Sequence, residues 1–355
     1  MNQISNMTSP NPSRRERIRW LDYAKGIGIF LVVFGHALRG LVSSSILQSS
    51  AAVTALDKWI YAFHMPLFFF LAGLFIERSA SKPLKDFVVD KLRVVAYPYI
   101  VWSLLQGVLQ VAGSKYTHSK TSFADLWQIA YNPIMQFWFL YVLFMIMVIY
   151  GLAHKIGISP LLFLAISIVF YYLQGQMGLG SWGVLYQIRL YIIYLPLGAV
   201  VGSSLELSKW QHLRTPILIL IMLASFLAVG VAVAFNLTDN LYILPVFALC
   251  GIAGSVALAI LLEKLDFAHF VEQWGLLSLQ IFVAHTIASS LLRIVLQKAF
   301  RLQEPIAHLI LATAIGIYAP IALEAICQKV GFPYLFTLRS SSNKPSPTLP
   351  SSSHS

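Results

Sequence analysis

Three side chains in the first apolar stretch, RIRWLDYAKGIGIFLVVFGHALRGL, are the best placed to do chemistry. Asp22 and Lys25 are three residues apart, so on a helix they share a face and can pair. Lys25 and His36 are eleven apart, almost three helical turns, which puts them on one face about 16 Å apart along the axis. Histidine is the side chain whose ordinary pKa suits proton transfer near neutrality. Arg39 carries the stripe one turn further. Gly26, Gly28, Gly35 and Gly40 would let other helices or a ligand approach closely. The plainer reading makes Asp22 and Lys25 interfacial anchors, with Lys25 reaching outward along its apolar stem. It accounts poorly for His36, which lies well inside the stretch, where an ionisable group is costly.

Further candidates lie in later apolar stretches. His64 falls in YAFHMPLFFFLAGLF, at a depth similar to that of His36. Pro66 two residues on leaves the carbonyl near Ala62 without its helical donor, which a histidine could satisfy. His285 lies mid-stretch in SLQIFVAHTI. Arg189, among Tyr186, Tyr191 and Tyr194, could hold a sugar or a pyrophosphate, or could reach outward to solvent. Trp138 opens QFWFLYVLF, where an interfacial aromatic belt is the plainer reading. Glu324, near the end of the last apolar stretch, could partner Lys25 or serve as another base. Lys91 and Arg93, in KLRVVAYPYIVW, close a basic cluster with Lys82 and Lys85. Such a cluster suits the phosphates of a nucleotide or the heads of anionic lipids.

These residues need elements that can carry them, and the composition names the solvent. Of 355 residues, 58% are hydrophobic and 11% charged, against about 25% charged in a soluble domain. Mean hydropathy is +0.73. Apolar runs of bilayer length recur along the chain, and the expectation is an all-α integral membrane protein. The net charge of +11 lies in short loops, which orients a membrane protein. No basic and aromatic patch of the nucleic-acid-binding kind accompanies it. Cys250 and Cys327 both fall in apolar runs, which points to packing and not to a disulfide framework or a metal site.

About ten transmembrane helices are expected, near 20–41, 59–76, 95–112, 136–153, 160–174, 187–203, 216–235, 241–262, 275–296 and 306–327. Most of the 25 Lys and Arg fall in one set of alternate loops. Lys58, Lys115, Lys120, Lys298 and Arg301 fall in the other. By the positive-inside rule both termini are cytoplasmic. Residues 77–94 read as a basic cytoplasmic loop and 113–135 as the longest external one. Residues 1–16 form a polar cytoplasmic segment without a removable signal peptide. Residues 17–330 form the membrane domain, and 331–355 a cytoplasmic low-complexity tail.

The segments LDYAKGIGIFLVVFGHA, FHMPLFFFLAGLF, KLRVVAYPYIVW, FWFLYVLF, YLPLGAVVG and SLQIFVAH, in this order over residues 17–330, resemble the acyltransferase 3 family. This is a family of integral membrane O-acyltransferases, and the similarity is greatest to its fucose 4-O-acetylase-like and polysaccharide acetyltransferase members. The resemblance implies transfer of an acyl group, usually acetyl from acetyl-CoA, to a hydroxyl of an envelope or exported glycan or lipid-linked sugar. It implies a multi-pass place in the plasma (bacterial inner) membrane. Family members pair a basic residue with a histidine ten intervening positions later, and these match Lys25 and His36. The basic residue is often Arg, so Lys25 departs from the pattern, and a lysine cannot make arginine's bidentate fork. Some members carry a C-terminal hydrolase-like domain; this sequence shows none, so direct transfer by the membrane domain is expected.

On this reading an acyl-CoA head meets Lys25, Lys91 and Arg93 at the inner face. The pantetheine arm then runs up the glycine-lined face, and His36 takes the acceptor's proton as general base. Asp22 orients Lys25. His64 and His285 would help by polarising the thioester or holding the acceptor, with Arg189, Trp138 and Tyr194 as acceptor contacts. No metal and no nucleic-acid partner are implied. The competing reading is a transporter of a glycan or small organic acid, since buried Lys, Asp and His also serve proton relays. Such carriers often show internal repeats, and none is evident between residues 20–170 and 180–330.

Overall fold

In lipid a backbone must satisfy its own hydrogen bonds, so an apolar chain of this kind resolves into helices. The computed structural model describes residues 18–113, 123–173, 182–204 and 207–338, and no strand occurs among them. Helix α1 spans Arg19–Ser43 and α2 Ala51–Gly73, followed by the short α3 (Ile76–Ala80). Helix α4 (Leu84–Lys91) passes through a π-helical turn at Leu92–Ala96 into α5 (Tyr97–Gly113). Then come α6 (Trp138–Lys155), α7 (Pro160–Tyr172), α8 (Gly183–Tyr191) and α9 (Tyr194–Ser204). The chain closes with α10 (Thr215–Ala234), α11 (Leu244–Lys264), α12 (His269–Leu276), α13 (Ser278–Lys298) and α14 (Pro305–Lys329).

Local chemistry sets several of these ends. Proline stands in the first two positions of α7, α10, α11 and α14, where its missing N–H costs nothing. The Val53 N–H donates to Ser50 Oγ and the Leu162 N–H to Ser159 Oγ, capping α2 and α7. Lysine ends α6, α11, α13 and α14, where a cation meets the negative end of the helix dipole.

Eight described helical segments are long and apolar enough to cross a membrane, where about ten were expected. The two expected spans outside this set fail for different reasons. The second is a 23-residue helix, but Asp57, Lys58, His64 and Pro66 keep it from being uniformly apolar. The fifth is only 13 residues long, short of the roughly 20 that a bilayer needs. Residues 77–94 are also not an open loop. They are largely helical, and Phe87 is fully buried with its ring against Gly151 of α6. Packing continues past residue 330, where Trp102 donates to the Leu335 carbonyl at 2.9 Å and stacks near Phe336. The polar N-terminal segment, Lys115, Lys120 and the tail from residue 339 lie outside the described residues.

Helix α1 is central, packed against α2, α11, α12, α13 and α14. Its contact with α12 is backbone on backbone. A Cβ at Gly26 would lie 1.9 Å from the Val271 carbonyl oxygen, and one at Gly275 would lie 1.7 Å from that of Asp22. Only glycine permits this approach. Arg19 secures that end, with Nη2 donating to Glu272 at 2.9 Å, Nε to the same carboxylate at 3.2 Å and Nη1 to Asp266 at 3.3 Å. At the other end Arg39 grips Asp57 of α2 through two bonds of 2.6 and 2.8 Å. Lys58 there reaches Asp239, beyond the end of α10, at 2.6 Å. The two ends of α1 are thus pinned to different elements, and the stretch between them is held in register.

Candidate functional site

His36 leaves α1 one turn before Arg39, and the bundle brings two other histidines close. The His36 and His285 rings lie 5.1 Å apart between centroids. Tyr61 lies 6.3 Å from His36 and 4.5 Å from His64. The Arg39 guanidinium rests over the Tyr61 ring at 3.1 Å, a cation–π contact fixed by its grip on Asp57.

Two of the histidines are oriented by their own helices. His285 Nδ1–H donates to the carbonyls of Phe282 at 2.7 Å and Ile281 at 3.2 Å. Carbonyl oxygens only accept, so the proton belongs on Nδ1, and Nε2 presents a lone pair. Among the described residues that Nε2 has no hydrogen-bond partner, and neither does His36 Nδ1. His64 Nδ1–H donates to the Ile60 carbonyl at 2.8 Å. The carbonyl it satisfies is therefore not the one near Ala62 that Pro66 was expected to free.

A cavity of about 310 Å³ opens beside the pair. Its lining includes His36, His285, Arg39, Thr286, Ser289 and Arg293, and no carboxylate among the described residues. On α13 the polar lining residues are 285, 286, 289, 290 and 293, which is the repeat of one helix face. Behind Thr286 is an amide network. Gln136 Nε2 donates to Thr286 Oγ1 at 2.7 Å and to Gln106 Oε1 at 2.9 Å, which ties α5 and the turn before α6 to the cavity wall.

The remaining sequence candidates fall in three other places. Lys25 pairs with Asp22 at 3.7 Å, as their spacing allowed, at the end of α1 remote from His36. Lys91 pairs with Asp90 at 3.7 Å, and with exposed Arg93 it belongs to the segment packed on α6. No hydrogen bond or ion pair among the described residues joins Lys25 to either. Trp138 stacks near Tyr191 at 5.0 Å, Tyr191 lies 6.4 Å from Tyr194, and buried Arg189 rests over Tyr186 at 5.1 Å. None of Trp138, Tyr194 and Arg189 lines the His36 cavity. Glu324 accepts from Gln328 at 2.8 Å and is not the partner of Lys25.

The glycine face of α1 is not an open track for a ligand. Gly26 meets the main chain of α12, Gly28 the Phe68 ring, Gly35 the Tyr61 ring and Gly40 the Arg293 guanidinium. Side chains at Gly28, Gly35 and Gly40 can swing aside, but the α12 backbone at Gly26 cannot. A pantetheine arm along this face, as the sequence led us to expect, is closed off at Gly26.

Arg39 was visible in the sequence as the continuation of the stripe, but Arg293, Thr286, Ser289, Gln106, Gln136, Asp57 and Tyr61 were not singled out there. The signal for the α13 set was present: HTIASSLLR places polar residues at helical spacing within an apolar run. Among the described residues no three of His, Cys, Asp and Glu are grouped to hold a metal ion.

Membrane-length helices that bring together a histidine pair and a polar cavity define a multi-pass membrane protein. The acyltransferase 3 family model, described as an acyltransferase domain, matches residues 18–325. The chain belongs to that family and is an O-acyltransferase of the membrane. Comparison with curated proteins and with solved structures gave no match.

Proposed function

We propose that this enzyme transfers an acyl group, acetyl in the family's common case, from cytosolic acyl-CoA to a hydroxyl of an envelope or exported glycan or its lipid-linked precursor. The membrane would be the bacterial plasma membrane, with both termini cytoplasmic by the charge of the loops. The observation that carries the reading is the His36–His285 pair, 5.1 Å apart on the wall of a polar cavity. His285 is held as the Nδ1–H form by two carbonyls. Its Nε2 and His36 Nδ1 are both unpaired among the described residues, and on this reading Nε2 accepts from His36 Nδ1 in the reacting complex. That leaves His36 Nε2 free to act on substrate, the ordering found whenever a base is itself oriented by a third group.

The acceptor hydroxyl gives its proton to His36 as its oxygen bonds to the thioester carbonyl carbon. Collapse of the tetrahedral intermediate breaks the C–S bond. The thiolate leaves and takes up the proton from His36, so the products are an ester and free CoA with no net proton change. Lys25, oriented by Asp22, supplies a point charge for donor phosphates at the other end of α1, with Lys91 and Arg93 as further basic groups at that end. The thioester approaches His36 by a route that avoids Gly26. Trp138, Tyr194 and Arg189 do not line the His36 cavity and are given no direct grip on the acceptor in this reading. His64 holds the Tyr61 side of the site.

Purified enzyme in nanodiscs, given labelled acetyl-CoA and extracted envelope glycan, tests this reading. Label appearing in the glycan as a base-labile ester supports it. Solute flux in proteoliposomes without ester formation supports the transporter in its place.

A further inference from the structure

Two guanidinium groups line the His36 cavity, and they differ in one respect. Arg39 is neutralised by both oxygens of Asp57 and stacked on Tyr61. Arg293 has neither form of compensation. Its one hydrogen bond is from Nη1 to the Gly40 carbonyl at 2.7 Å, and no carboxylate pairs with it among the described residues. A half-buried cation left without a counter-charge in a membrane domain is costly, and such groups mark substrate pathways. The cavity lining supplies no carboxylate to offset it.

We infer that Arg293 is an anion-recognition residue and that the acceptor is a hydroxylated molecule carrying a phosphate or carboxylate group near the hydroxyl that is acylated. This rests on the reading of the His36 cavity as the acceptor site. The position of the guanidinium sets the spacing. It is anchored at Gly40, four residues beyond His36, so it stands about 6 Å along α1 from the base. That is on the scale of one sugar ring, with the reactive hydroxyl at His36 and the anionic group at Arg293. The hydroxyls of Ser289 and Ser290 share the same α13 face and suit the ring's remaining hydroxyls. Ser289 Oγ already donates to the Ala312 carbonyl at 2.8 Å, which leaves its oxygen to accept. The remaining guanidinium N–H groups match a phosphate or carboxylate with charge-assisted bonds. A phospholipid head is the other source of the same chemistry, since Arg293 is in the last third of α13.

The test uses full-length enzyme in nanodiscs of phosphatidylcholine alone, with thermal unfolding followed as glucose 1-phosphate or glucose is titrated in. Wild type should be stabilised by the sugar phosphate and not by the neutral sugar. Arg293→Gln keeps a donor for the Gly40 carbonyl but removes the charge, and it should weaken the sugar phosphate about 10- to 100-fold. Arg293→Lys should recover part of the loss. Equal responses from wild type and Arg293→Gln would overturn the inference, as would no response from wild type. A response that disappears when phosphatidylglycerol is added would show that a lipid head fills the site, and would also overturn it. Because the readout is binding, a failure of acyl transfer with sugar-phosphate binding intact would sink the proposed reaction and leave Arg293 as an anion site.

Discussion

His285 Nδ1 donates to the Phe282 carbonyl at 2.7 Å, and this short contact within one helix turn leaves Nε2 as the nitrogen with a free lone pair. A histidine tied to its own backbone in this way cannot offer Nδ1 as a base, so its contribution must pass through Nε2. In the proposed reaction the pair is asymmetric, with His36 acting on substrate and His285 Nε2 left to orient it.

That asymmetry separates two variants at position 285. His285→Leu removes the acceptor and should lower kcat by about 10- to 100-fold while leaving KM for acetyl-CoA unchanged. His285→Gln can donate from its amide nitrogen to the backbone and accept with its oxygen, so it should recover most of the activity. The nitrogen-15 NMR signature of labelled histidine should show His285 protonated at Nδ1 in the wild type. An Nε2-protonated form would sink this assignment.

At the donor end, Lys25→Arg should keep activity, and Lys25→Ala should raise KM for acetyl-CoA about tenfold with a smaller change in kcat. Steady-state kinetics with acceptor saturating measures both. A loss confined to kcat would mean that Lys25 does not meet the donor.

The α1–α12 contact gives a structural prediction. Gly275→Val places side-chain carbons where the Asp22 carbonyl lies 1.7 Å from even a Cβ, and backbone cannot yield there. Destabilisation of about 3 kcal/mol or more is expected, seen as a fall of several degrees in the unfolding temperature in detergent. Gly230→Val, where no described residue lies within 4 Å of the added Cβ, serves as the control.

Asp57→Ala unpairs Arg39 at the rim of the cavity. Arg39 is exposed, so the loss in stability should be about 1 kcal/mol or less. The effect on transfer should be larger than that, because Arg39 fixes the Tyr61 ring beside His36 and His64. Comparing kcat with the unfolding temperature separates the two.

Much of this was legible from residue spacing, and the failures have physical causes. Asp22 and Lys25 pair, as their spacing of three on one helix face allows. The membrane-length helices follow from apolar runs alone. The meeting of His36 with His285 was beyond reach, because periodicity places a residue on a face without naming the opposing helix. The glycine face of α1 showed that something approaches closely, but spacing cannot distinguish a ligand from the backbone of α12. Residues 77–94 read as a loop because their charges hid Phe87, whose burial depends on Gly151 some sixty residues later. Arg293 went unremarked because spacing in an apolar run does not show which charges packing leaves without a carboxylate partner.

The most direct test of the account is transfer of label from acetyl-CoA to envelope glycan by wild type and by His36→Gln, a variant close in size, with acetyl-CoA binding measured on both. The account predicts unchanged donor binding and a fall in the transfer rate of about 100-fold or more. Equal rates from the two proteins would contradict it and remove the histidine pair from the chemistry.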